Sequence, residues 1–155
     1  LITDKKAALE KGARYCAYQE RSQQEVRSKL YGLGVAGRLV EEVISTLIED
    51  GFINEERFAR AYSGGKFRVK GWGRVKIRRG LQSKGVSDFC IRAGLEEIDE
   101  SAYLEKLTAI LEEKLADPAE ADPFKKKNKA VAYAVSRGFE APLVWEVLKS
   151  LQEAG

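Results

Sequence analysis

Three glycine-apolar dipeptides, Gly34-Val35, Gly85-Val86 and Gly138-Phe139, bring the chain into register with itself. Before each glycine, Val26 and Leu30 align with Ile77 and Leu81, and with Ala130 and Ala134. After it, Leu39, Val40 and Ile44 align with Cys90, Ile91 and Leu95, and with Leu143, Val144 and Leu148. Apolar positions spaced four apart, then a glycine, then a second apolar stripe, describe a helix, a turn and a helix. A further amphipathic segment precedes each pair, over residues 4–19, 54–69 and 100–115. The expected fold is therefore all-α: three tandem three-helix repeats, over residues 1–53, 54–98 and 99–155. A unit this small buries little surface alone, so neighbours must share edges, and the expected form is an elongated, curved helical array.

Local signals agree with helices nearly throughout. Ser22-Gln23-Gln24-Glu25 has the form of a capping box. Asn54-Glu55-Glu56 supplies a cap and acidic groups for the positive end of the next helix. Ser87-Asp88 caps a short helix, and Asp122-Pro123 puts proline at a first helical position. Leu39, Val40, Val43, Ile44, Leu47 and Ile48 form a wide apolar stripe stopped by Asp50-Gly51. Strict β-type alternation is absent. Residues 116–123 form a short acidic connection.

Composition excludes several classes. Hydrophobic residues make up 44% and charged residues 33%, enough to bury a core and remain soluble. No apolar run reaches membrane-span length. The opening Leu1-Ile2-Thr3-Asp4 is charged too soon for a signal peptide, and with no Met the N-terminus reads as trimmed. The sequence has no His, which removes the commonest proton shuttle. Cys16 and Cys90 lack a second Cys at ligand spacing and read as small core residues in a reducing compartment. The carboxylates sit on polar helix faces, where solvation explains them. No catalytic residue, metal or cofactor is expected.

The net charge of +3 conceals a strong asymmetry. Residues 57–87 carry ten Lys/Arg and no Asp/Glu; the other 124 hold 17 basic and 24 acidic residues, a balance of −7. On a helix starting near Gly73, Ile77 and Leu81 form the buried seam, with the Lys84 stem beside them. Arg74 and Arg78 flank that seam, and Lys76 and Arg79 point away from it. Like charges at this spacing repel mildly, which phosphates or an acidic protein groove would offset; a merely solvated basic face is the alternative. Trp72, between Gly71 and Gly73, reads as a plug joining two helices, with base stacking as the alternative. Tyr15, Tyr18, Tyr31 and Tyr62 read as core or boundary residues. Lys125, Lys126 and Lys127, with Lys129, form a second basic cluster at the matching place in the third repeat.

Several segments carry a family resemblance: Phe58-Ala59-Arg60-Ala61-Tyr62, Gly71-Trp72-Gly73-Arg74, Lys76-Ile77-Arg78, Leu81 and Lys84-Gly85-Val86. The entry pattern Arg21-Ser22-Gln23-Gln24-Glu25-Val26 and the link Leu47-Ile48-Glu49-Asp50-Gly51-Phe52 belong with them. Together they resemble the RecX family, regulators of the bacterial RecA recombinase. The resemblance implies a cytoplasmic, non-enzymatic monomer that lies along the groove of RecA–DNA filaments. It also implies a mainly inhibitory effect on ATP hydrolysis, strand exchange and coprotease activity. Carried over, Lys66, Arg68, Lys70, Arg74, Lys76, Arg78, Arg79 and Lys84 become contacts to the filament or to single- or double-stranded DNA, with Lys125, Lys126 and Lys127 added from the third repeat. The alternative is a stand-alone DNA-binding module of helix-turn-helix type. Against it, Gln82 is the only Gln or Asn in the 66–84 stretch that could read a base.

Overall fold

The computed structural model describes residues 2–154. Among them are nine α-helices and no strand. They are α1 (Lys5–Tyr18), α2 (Gln23–Gly32), α3 (Gly37–Glu49), α4 (Glu55–Gly65), α5 (Arg74–Ser83), α6 (Asp88–Leu95), α7 (Glu100–Leu115), α8 (Pro123–Ser136) and α9 (Ala141–Ala154). A π-helical turn, Lys66–Lys70, continues α4. No helix of the described residues is long and apolar enough to cross a membrane.

The glycine register of the sequence is a backbone register. After α2, α5 and α8 the chain closes the same Schellman turn. Val35 N–H donates to the Leu30 carbonyl (3.1 Å), Val86 to Leu81 (3.2 Å) and Phe139 to Ala134 (3.1 Å). The intervening glycines have φ of 83°, 74° and 100°, a region closed to most side chains. Each turn drives its apolar residue inward, and Val35, Val86 and Phe139 are all buried. The aligned seams are equally uniform: Val26, Ile77 and Ala130, Leu30, Leu81 and Ala134, and Val40, Ile91 and Val144 are all fully buried.

By compactness the chain divides into two units: Leu1–Tyr62 with Leu81–Gly94, and Ser63–Gly80 with Leu95–Gly155. In the first, α1, α2 and α3 pack on one another around Ala8, Val26, Leu30, Val43 and Leu47. Gly12 of α1 lets the Leu47 side chain approach; an added Cβ would lie 2.8 Å from its Cδ1. The capping box at Ser22 is complete, with Glu25 N–H donating to Ser22 Oγ and Ser22 N–H to Glu25 Oε1. Cys16 is buried here, and burial pushes its thiol pKa up. Two expectations fail in this unit. Tyr18 is 84% and Tyr31 51% exposed, so neither is a core or boundary residue. Ile48, at the end of the α3 stripe, is also exposed, because the last turn of α3 rotates it off the packed face.

In the second unit α7, α8 and α9 pack mutually. Their core continues into a ladder of rings. Tyr103 of α7 lies between Phe67 (centroids 5.8 Å apart) and Phe139 (5.0 Å), both in tilted contact. This ladder fixes the π turn and the start of α5 against α7 and the α8–α9 turn.

A basic surface anchored on the second unit

The start of α5 is held by main-chain contacts. Gly73 N–H donates to the Arg137 carbonyl (2.8 Å) and Val75 N–H to the Gly138 carbonyl (2.9 Å). Arg74 N–H donates to Tyr103 Oη (2.9 Å). These three amides, the usual anion-binding end of a helix, are thus occupied from within. The approach is so close that a Cβ on Gly73 would lie 2.4 Å from Gly138 C and Phe139 N. An anion at the start of α5 finds none of these three amides free.

Tertiary structure sorts the ten cations of the basic block. Arg57 pairs with Glu20 at 2.6 Å, and Arg60 with Glu56 at 3.6 Å. Lys84, in the first unit, pairs with Glu25 at 3.3 Å. Arg74 is the most committed: Nη1 lies 2.9 Å from Glu100, Nε 2.7 Å from Glu140, and the guanidinium 3.9 Å from the Tyr103 ring centroid. Burial works against its charge, but the hydrogen bond to Glu100 and the charge of Glu140 outweigh that, so its pKa rises. Tyr103 in turn donates to Glu140; burial first and that hydrogen bond second push its phenol well above the ordinary range. The sequence sets Arg74 beside the buried seam, in a run without acids, as a contact to a filament or to DNA. The fold corrects this by bringing two carboxylates to it from 26 and 66 residues away.

The other six cations of the block lie on the π turn, beside Trp72 and along α5. Arg79 is exposed and Arg78 half-buried, and neither has an acidic partner among the described residues. Arg68 and Lys70 are exposed on the π turn. The Arg68 guanidinium folds over Gly64, where a Cβ would meet its Nη2 at 2.7 Å. Lys66 and Lys76 place their ammonium groups 4.9 and 4.8 Å from the Trp72 ring centroid. Trp72 therefore ties the end of the π turn to α5 and spaces two cations about one ring. In the third repeat Lys125 is exposed, and Lys126 and Lys127 are half-buried.

Two members of this surface carry no local sequence signal. Arg137 donates to the Lys70 carbonyl. Its Nη2 and the Lys106 Cε lie 3.5 and 3.6 Å from where a Gly71 Cβ would stand. Lys70, Lys106 and Arg137 thus converge on one turn from three separate segments. Among the described residues no cluster of His, Cys, Asp or Glu could hold a metal ion.

Comparison with known proteins decides the family. Profiles of the first, second and third three-helix domains of RecX match residues 8–47, 54–95 and 101–148, in that order. The regulatory protein RecX of Prosthecochloris aestuarii is 30% identical over 149 residues, 96% of each chain. The chain belongs to the RecX family. The regulatory protein RecX of Bacillus mycoides is also 30% identical, over 139 residues, 90% of this chain and 52% of its own length. The chain thus spans about half the length of that relative. The crystal structure of RecX from Lactobacillus salivarius superposes with a TM-score of 0.85 at 22% identity, over 96% of both chains. A second RecX crystal structure gives 0.84 at 19% identity, over 94% of this chain and 73% of that one. At these identities the RecX fold is what the two structures share with this chain.

Proposed function

We propose that this chain is a cytoplasmic regulator of the RecA recombinase, mainly an inhibitor, acting as a monomer without catalysis of its own. It lies along the groove of RecA–DNA filaments and restrains ATP hydrolysis, strand exchange and coprotease activity. Its working units are the repeats 1–53, 54–98 and 99–155. The observation that carries this reading is the outward basic surface, on which Arg78 and Arg79 have no acidic partner among the described residues. Lys66, Arg68, Lys70, Lys76, Lys106 and Arg137 extend it, and Lys125, Lys126 and Lys127 add the third repeat. Arg74 and Lys84 serve as positioning residues, since their charges are already answered by Glu100, Glu140 and Glu25. The start of α5 is packed against the α8–α9 turn, so its first residues are not free to enter a major groove, which favours a filament partner over a sequence-specific operator.

The test is Arg78→Glu/Arg79→Glu, measured by binding to single-stranded DNA and to RecA–DNA filaments across a salt series, and by RecA ATP hydrolysis. Each lost phosphate contact should lower the salt slope by about 0.7 on a single strand. The double variant should lose at least about 1.4 and cease to inhibit. Lys5→Glu, far from the block in sequence, is the control. Wild-type binding and inhibition by the double variant would refute the reading.

A further inference from the structure

Packing of α8 against α9 opens a cleft of about 260 Å³ on the second unit, lined by Phe124, Lys127, Asn128, Trp145, Lys149 and Gln152, with Leu148 as its floor. Its chemistry is unusual for a surface feature. Phe124 is 74% and Trp145 49% exposed, so two large rings stand in solvent at one opening. Two ammonium groups and two carboxamides line the same opening, and no carboxylate does. The Asn128 amide donates to the Phe124 carbonyl (2.9 Å), which holds it in place and leaves its oxygen uncommitted among the described residues. Of the two carboxylates of α9, Glu146 lines a separate groove with Glu100, Leu104 and Leu143, and Glu153 is absent from the lining of the cleft. The cleft side of α9 thus presents Trp145 and Lys149, while Leu143, Val147 and Leu151 line the groove beside Glu146.

We infer that this cleft takes an unstacked nucleobase of a single strand, with Lys127 and Lys149 on the flanking phosphates. Aromatic rings offer a stacking face that any base can use. The amides match base edges, and the ammonium groups neutralise the backbone. A phosphate alone would have no use for two exposed rings, and an apolar protein side chain none for the basic and amide rim. The cleft is below the roughly 300–1,000 Å³ of drug-sized pockets and suits one planar ring system. The inference rests on the nucleic-acid part of the proposed function and adds to it a preference for bases over bare phosphate, located on the third repeat.

The experiment compares the full chain with its Trp145→Ala, Trp145→Phe and Phe124→Ala variants on oligo(dT) and on an abasic oligomer of equal length. Wild type should bind oligo(dT) more tightly than the abasic chain and show the stronger tryptophan quench with it, the excess coming from Trp145 rather than Trp72. Trp145→Ala should weaken oligo(dT) binding by about 5- to 150-fold, the range of one lost base stack, with little change on the abasic chain. Trp145→Phe should keep the affinity and lose most of the quench. Phe124→Ala, at a more exposed site, should weaken oligo(dT) in the same direction and guards against misfolding of the first variant. Wild-type affinity in both alanine variants, or an oligo(dT) quench in Trp145→Phe equal to that of wild type, overturns the base site. The salt slope of Arg78→Glu/Arg79→Glu then still decides the basic surface separately. Loss of filament binding in Trp145→Ala with unchanged oligo(dT) affinity assigns the cleft to a protein side chain and also overturns it. A wild type that binds no single strand defeats both the base site and the nucleic-acid reading beneath it.

Discussion

One methyl group placed on either of two glycines should change stability in opposite directions. At Gly73 a Cβ would stand 2.4 Å from the Gly138 carbonyl carbon and the Phe139 nitrogen, both backbone atoms that no rotamer change can move. To admit it, the start of α5 must withdraw from the α8–α9 turn by about an ångström. Overpacking of this kind costs about 1–3 kcal/mol. Withdrawal also stretches the Gly73–Arg137 and Val75–Gly138 hydrogen bonds, each worth about 0.5–1.5 kcal/mol. Gly73→Ala should therefore lose about 2–6 kcal/mol, a fall of roughly 4–24 °C for a chain of this size. At Gly65 the backbone is αR (φ −65°, ψ −46°), and no atom outside its own helix lies within 4 Å of an added Cβ. Gly65→Ala should gain about 0.5–1 kcal/mol from helix propensity alone. Thermal melts followed by circular dichroism measure both. Wild-type melting of Gly73→Ala, or an equal loss at Gly65, would show that the close backbone approach does not hold α5 in place.

Other consequences are as direct. Leu30→Ala and Leu81→Ala remove equivalent fully buried side chains and should each cost about 2–5 kcal/mol in chemical denaturation; a change under about 0.5 kcal/mol, typical of a surface site, would break the register. The Tyr103 phenol has its folded pKa raised above the ordinary value of 10.0, so the stability it contributes is complete below that value and is lost as pH climbs through the folded pKa. In a spectrophotometric titration Tyr103 should be the last tyrosine to ionise, and Tyr103→Phe should remove that late step; six tyrosines titrating together would contradict its burial against Glu140. The buried Cys16 thiol, its pKa pushed up, should react with a disulfide reagent far more slowly than the half-buried Cys90, and mass mapping that finds Cys16 modified first would count against the packing of α1.

Much of this protein is decided locally. A Schellman turn needs a left-handed residue followed by an apolar one, and the preceding helix supplies the acceptors four and five positions back. All of that lies within a few residues, so Gly34-Val35, Gly85-Val86 and Gly138-Phe139 reveal the three helix pairs to anyone reading the chain. Helix caps at Ser22, Asn54 and Asp122 are legible for the same reason: donor and acceptor sit two or three residues apart. Charge is different, because a Coulomb partner need not be near in sequence. The acid-free run of residues 57–87 suggests ten available cations. Yet Glu20, Glu25, Glu100 and Glu140 reach Arg57, Lys84 and Arg74 only once the helices have packed. The same packing recruits Lys106 and Arg137 to the Gly71 turn and sets Phe124 beside Trp145, pairs that no local pattern announces. Sequence alone therefore determined the helices, their caps and their repeat, through interactions that span one or two turns. Which cations remain open to a partner was decided only by tertiary structure, since burial and ion pairing depend on distances through space.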